Sequence, residues 1–140
     1  MQLPRMTHLA LHVEDLDACI SFYQRYCNMV VIHHRESAEK RIVWMAEPGR
    51  ETDFIFVMMN GGHDIALPER DYRHLGFAVA SREQVDEIAR QAEADGCLLW
   101  PPREEPYPVG YYCGLKDPAG NNVEFSYGQP LGPGAELVGG

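Results

Sequence analysis

A chain of 140 residues, 45% hydrophobic and 24% charged, has the length of one ordinary domain or two small half-domains and enough apolar matter for a core, which excludes a disordered polypeptide. A formal net charge of −9 repels phosphate backbones and anionic lipid, so no nucleic acid and no membrane are expected as partners. MQLPRMTHLA lacks the apolar stretch of a signal peptide, no run approaches the ~20 apolar residues of a membrane span, and four cysteines without a C-x-x-C pair read as buried thiols, so a reducing, cytoplasmic setting is expected.

In chain order, THLALHV (7–13) is strand-compatible. The period then changes: Leu16, Cys19, Ile20, Tyr23, Tyr26 and Cys27 recur at three and four, one face of a helix with Asp15 as its N-cap. MVVIHH, KRIVWMA and DFIFVMM read as three strands separated by the turn signals ESAE and EPGRE. RHLGFAVA opens the second half as a strand. SREQVDEIARQAEADG is a helix with Ser81 and Gln84 as a capping box, a buried face of Val85, Ile88, Ala89 and Ala92, and Gly96 as its left-handed cap. CLLW, VGYYCGLK and NNVEFSY are strands, the last following a DPAGN turn. PPREEPYPVGYYCG, with four prolines, predicts a stiff loop between two of them. The tail GQPLGPGAELVGG is too rich in Gly and Pro to form an element and is expected to drape over a neighbour or stay disordered.

Both halves thus read strand, helix, strand, strand, strand. The predicted class is α+β: a first βαβββ module over 5–60, a connector over 61–71, a second module over 72–128 and a Gly/Pro-rich tail over 129–140. THLALHV and RHLGFAV place His8 and His74 at equivalent positions of the repeat, 66 residues apart. Shared ancestry without chemistry explains the coincidence as well as metal ligation does. Glu124, between Val123 and Phe125, points either to water by simple alternation or to a cavity where a cation balances its charge. Two imidazoles and one carboxylate form a facial triad that leaves coordination positions open on a divalent ion. Iron(II) suits it best, and manganese, nickel, cobalt, zinc and magnesium suit the same donors.

HLALHVEDLDACISFYQRYCNMVVI, HLGFAV and DPAGNNVEF resemble the vicinal oxygen chelate superfamily, which includes glyoxalase I, extradiol dioxygenases, and fosfomycin and bleomycin resistance proteins. The resemblance spans residues 5 to 128, and DP-x-G-N-x-x-E is its most specific mark. It implies curved mixed sheets around a cavity, metal ligands at His8, His74 and Glu124, one divalent ion per site, and a small substrate that chelates the ion through vicinal oxygens. It also implies a homodimer with sites at the interface, His8 coming from one subunit and His74 and Glu124 from the other. Two departures stand out. The fourth ligand of glyoxalase I falls at Met58 here, and the tyrosine of extradiol dioxygenases falls at Gly114, with Tyr112 two residues upstream on the same face.

Tyr112 and His12 are the candidate general acid/base residues. His12 shares a face with His8 but lies about 13 Å away, too far to bind the same ion. Phe56 and Met58, with Phe54, form a stripe that is either core or the apolar wall of a substrate pocket. Arg103 is the one cation of the proline-rich loop, placed to hold an anionic group or to pair with Glu104 or Glu105, and Tyr107 is placed to roof the pocket. Of His33 and His34 one faces solvent, as does His63. Two functions follow: a metal-dependent isomerase, lyase or ring-cleaving dioxygenase, or a protein that sequesters a small molecule without chemistry.

Overall fold

The computed structural model describes residues 2–135, which divide into two compact units with the boundary between Ile65 and Ala66, inside the 61–71 segment. The first unit runs β1 (His8–His12), α1 (Leu16–Cys27), β2 (Val30–Ser37), β3 (Lys40–Ala46) and β4 (Ile55–Met59). Its sheet has the order β1-β4-β3-β2, with β1 and β4 parallel and the other pairs antiparallel. The second unit repeats the plan. β5 (Leu75–Ala78), α2 (Arg82–Asp95), β6 (Leu98–Glu105), β7 (Gly110–Lys116) and β8 (Asn122–Tyr127) form a sheet of order β5-β8-β7-β6, again with the first pair parallel. This is the expected pair of βαβββ modules.

Each helix begins and ends where its caps dictate. The Asp15 carboxylate accepts from the Ala18 N–H at 3.0 Å, and Asn28 closes α1 in the left-handed conformation at φ 54°. Ser81 Oγ accepts from the Gln84 N–H at 3.1 Å, and Gly96 closes α2. The Gln84 side chain reaches back to the Ala80 N–H, one residue before the cap itself. In α1 the buried face is Leu16, Cys19, Phe22, Tyr23 and Tyr26; Ile20 and Cys27, expected on that face, are half-buried at its edges.

Alternation sorts each sheet into a helix-facing side and an open side. In the second unit Cys113, Leu115, Val123 and Phe125 pack with Val85, Ile88, Ala89 and Ala92 of α2. In the first, Val43, Met45, Phe56 and Met58 form the core beside α1, and the Phe56 ring meets Tyr23 edge-on at 5.4 Å. The proline-rich segment is not a loop. Pro101, Pro102, Arg103, Glu104 and Glu105 belong to β6, and only 106–109 turn. An edge strand accommodates proline because one row of its N–H groups has no ladder partner to lose. The described part of the tail lies on its own unit: a Cβ on Gly132 would sit 2.8 Å from Ala78 Cβ, and one on Gly134 3.0 Å from the Val79 carbonyl. Residues 136–140 of the expected tail lie outside the described residues. No described helix is long and apolar enough to cross a membrane.

Candidate functional site

The DPAGN turn delivers β8 to the site. Asp117, 4% exposed, accepts from the Ala119 and Asn121 N–H groups at 2.9 and 2.8 Å and from Asn121 Nδ2 at 3.0 Å. Asn122 then ties the chain ahead of His74 to the start of β8. Its Nδ2 donates to the Asp71 and Arg73 carbonyls at 3.2 and 3.1 Å, while its Oδ1 accepts from Lys116 Nζ at 2.5 Å. Two residues further on, Glu124 stands on the open side of the sheet.

Glu124 is flanked by glycine on both neighbouring strands, paired with Gly76 of β5 and Gly114 of β7. Trp100 of β6 pairs with Gly114, which completes the row Trp100, Gly114, Glu124, Gly76 across four strands. His74 Nδ1–H donates to the Tyr72 carbonyl at 2.7 Å, which turns Nε2 towards Glu124 Oε2, 3.7 Å away. Trp100 meets the His74 ring edge-on, with centroids 6.0 Å apart. Together with Tyr72, Pro101, Arg103 and Tyr112 these residues line a cavity of ≈ 320 Å³. Alternation therefore does not put Glu124 in water: its open side is covered, and the residue is 8% exposed.

Burial raises the Glu124 carboxyl above its ordinary range, against the opposing pull of His74 and a hydrogen bond from Gln129. A buried carboxylate beside an imidazole whose other nitrogen is already committed is a donor pair that fits a divalent cation, which would offset the cost of the buried charge. Burial also raises the Tyr112 phenol, Arg103 opposing and Glu105 and Glu124 adding to it, so this hydroxyl carries its proton at neutral pH. Arg103 pairs with Glu105 at 2.7 Å, while Glu104 is taken by Arg82 at 3.1 Å. Ser126, beside Tyr112 in the next row, is buried with no hydrogen-bond partner for its hydroxyl among the described residues.

The other expected residues are placed differently. His8 and His12 lie on the open side of β1 in the first unit, both exposed. His8 Nδ1 is 3.1 Å from Thr7 Oγ1. His12 Nε2 is 3.1 Å from the Asn60 carbonyl, at a cavity of ≈ 600 Å³ lined also by Lys40, Arg41 and Met59. Phe56 and Met58 are corrected from pocket wall to core: they pair with Leu9 and Leu11 on the helix-facing side, and Met58 is 0% exposed. Tyr107 is also corrected. It stands at the tip of the β6–β7 turn, 68% exposed, outside the cavity that holds Tyr112 and Arg103. Among the described residues no group of three His, Cys, Asp or Glu side chains is placed to hold a metal ion. Trp100, Tyr72, Asn122 and Gln129 were not anticipated as parts of the site. The glycines at 76 and 114, in the interior of their strands, were the available signal.

The sequence model of the Glyoxalase/Bleomycin resistance protein/Dioxygenase superfamily matches residues 5–125. The chain belongs to this superfamily. Within the superfamily, the uncharacterized protein PA2024 of Pseudomonas aeruginosa is 67% identical over 135 residues, 96% of each chain. Among solved structures, the fosfomycin resistance protein FosX of Listeria monocytogenes superposes with a TM-score of 0.71 at 22% identity, covering 89% of this chain and 94% of that one. The trypanothione-dependent glyoxalase I of Leishmania major gives 0.68 at 19%, covering 97% and 91%. These likenesses show the superfamily fold.

Proposed function

We propose that this superfamily member is a divalent-metal-dependent enzyme acting on a small substrate that chelates the ion through two neighbouring oxygens, as an isomerase, lyase or ring-cleaving dioxygenase. The observation that carries this reading is the approach of His74 Nε2 to the buried Glu124 Oε2 at the floor of an aromatic-lined cavity, with Nδ1 held by a backbone carbonyl. A FosX variant 25% identical to this chain has been solved with Mn(II) and dihydroxypropylphosphonic acid, which supports a divalent ion on this fold. His74 and Glu124 would supply two ligands. His8 would supply the third from the second subunit of a homodimer, which accords with the absence of a group of three among the described residues.

The ion, when bound, supplies Lewis acidity that stabilises an oxyanion of the substrate. The chain's own groups do the rest. The Tyr72 carbonyl holds the His74 ring in one tautomer. The protonated Tyr112 hydroxyl donates a proton or a hydrogen bond at the reacting oxygen. Arg103 stands at the rim, where an anionic substrate group competes with Glu105 for it. His12 is kept as the proposed base of the first unit.

Metal content after purification without chelator tests this reading. Stoichiometric metal, lost in His74→Ala, is expected, followed by turnover of a catechol, a 2-oxoaldehyde–thiol adduct or a fosfomycin-like epoxide with iron(II), manganese(II) or nickel(II). Sequestration without chemistry is the second reading, favoured by the absence of a group of three metal-ligating side chains among the described residues. Tight binding of one of these compounds to metal-free protein, without turnover, would establish it.

A further inference from the structure

We propose that Trp100 is a positioning residue for His74, and that position 114 is glycine so that the indole can lie across it to reach that imidazole. β6 carries one extra residue on each side of Trp100: Leu98 pairs with Leu115, Trp100 with Gly114 and Arg103 with Tyr112. Two bulges around one residue re-aim its side chain relative to the regular ladder. The result is tight contact with the Gly114 backbone. A Cβ at Gly114 would lie 2.2 Å from Trp100 Cε3 and 2.7 Å from Cδ2, overlaps no real Cβ tolerates. Gly114 has no left-handed conformation to account for it, so space is the reason for its identity. Resting there, the indole meets the His74 ring at an interplanar angle of 88° and the Tyr72 ring at 6.5 Å. His74 is therefore held at Nδ1 by the Tyr72 carbonyl and across its ring by Trp100, and these two constraints aim Nε2 at Glu124. A hydrogen bond alone leaves the ring free to tilt about it; the indole removes that freedom.

The metal consequence of this arrangement rests on the function proposed above, whereas the ring placement does not. The test accordingly has two readouts. In metal-free protein, the His74 ring proton shifts, assigned by their loss in His74→Ala, report the ring current of the neighbouring indole. Trp100→Ala and Gly114→Ala are each expected to move them further than any other histidine resonance, and the double variant to move them no further than Trp100→Ala alone. Unmoved His74 shifts in both single variants, with thermal unfolding showing them folded, overturn the proposal. In Mn(II) binding followed by electron paramagnetic resonance, Trp100→Ala is expected to weaken affinity about tenfold and Trp100→Phe by a factor of about three or less. With Trp44 replaced by Phe, Trp100 is the one tryptophan left, and its emission is expected to be quenched by Mn(II). Wild-type affinity in Trp100→Ala, or bound Mn(II) without quenching, also overturns it. If wild-type protein binds no Mn(II), the proposed metal function fails and the ring shifts alone decide the role of Trp100.

Discussion

Glu124 concentrates the conflict between stability and activity in one side chain. Its pKa is raised in the folded state, chiefly by burial, so between the unfolded and folded values the native protein holds the extra proton. Stability therefore falls as pH rises through that window, and the cost is complete above it. Glu124→Gln removes the charge while keeping the shape. The metal-free variant is expected to melt above wild type at pH 7 to 8, to lose the difference as the pH drops below the ordinary carboxyl range, and to bind no Mn(II). A variant that melts lower at neutral pH would mean that the pairing with His74 outweighs burial. The Tyr112 phenol is raised by burial as well. Because its phenol is raised, its proposed role as a proton donor is expected to persist into alkaline solution and to fade only above the usual tyrosine range. Tyr112→Phe is expected to lower kcat by about 10² with Mn(II) affinity unchanged, measured on whichever screened substrate turns over.

At the scale of elements, the two sides of the second sheet carry different duties, and two polar residues separate them. Ser81 caps α2 on the helix-facing side. Ser81→Ala is expected to cost about 1 kcal/mol of stability, read by urea unfolding, with Mn(II) affinity unaltered. Asn122 is 3% exposed and uses both ends of its amide, joining Lys116 to the backbone at Asp71 and Arg73. Asn122→Ala takes this donor from the Asp71 and Arg73 carbonyls, leaves Lys116 its bond to the Gly120 carbonyl, and is expected to cost about 2–4 kcal/mol. Because the tied segment leads directly into His74, Mn(II) affinity is expected to fall as well. An Asn122→Ala protein that is destabilised yet binds Mn(II) as wild type would show that β5 and β8 keep the ligands in place without this tie.

For the whole molecule, the proposed function makes it decisive which chain would supply the third ligand. His8→Ala and Glu124→Ala chains, each expected to be inactive, are mixed after subunit exchange has been verified by native mass spectrometry. If His8 of one subunit meets His74 and Glu124 of the other, a heterodimer carries one intact site of two, and Mn(II) binding returns to at most half of the wild-type level. Absence of recovery would assign each site to a single chain.

What the sequence determined by itself is what local chemistry determines. Period, caps and turn residues act within a few positions, so Asp15, Ser81, Gly96 and the DPAGN turn fall where the chain places them, and the repeat of HL…V shows the duplicated module. The repeat also singled out His74 and, with the DPAGNNVE mark, Glu124, two donors that the fold brings together. Tertiary structure decided the matters that depend on which side of a sheet a helix covers and on strand register. Phe56 and Met58 alternate correctly for either side, and only the position of Tyr23 in α1 makes that side the core. Pro101 and Pro102 read as a loop because proline removes a donor, and only an edge position in the sheet lets β6 run through them. Trp100 reached the site through two one-residue slips of register. Such slips leave no periodic trace, because each exchanges the two sides of a strand without altering its composition.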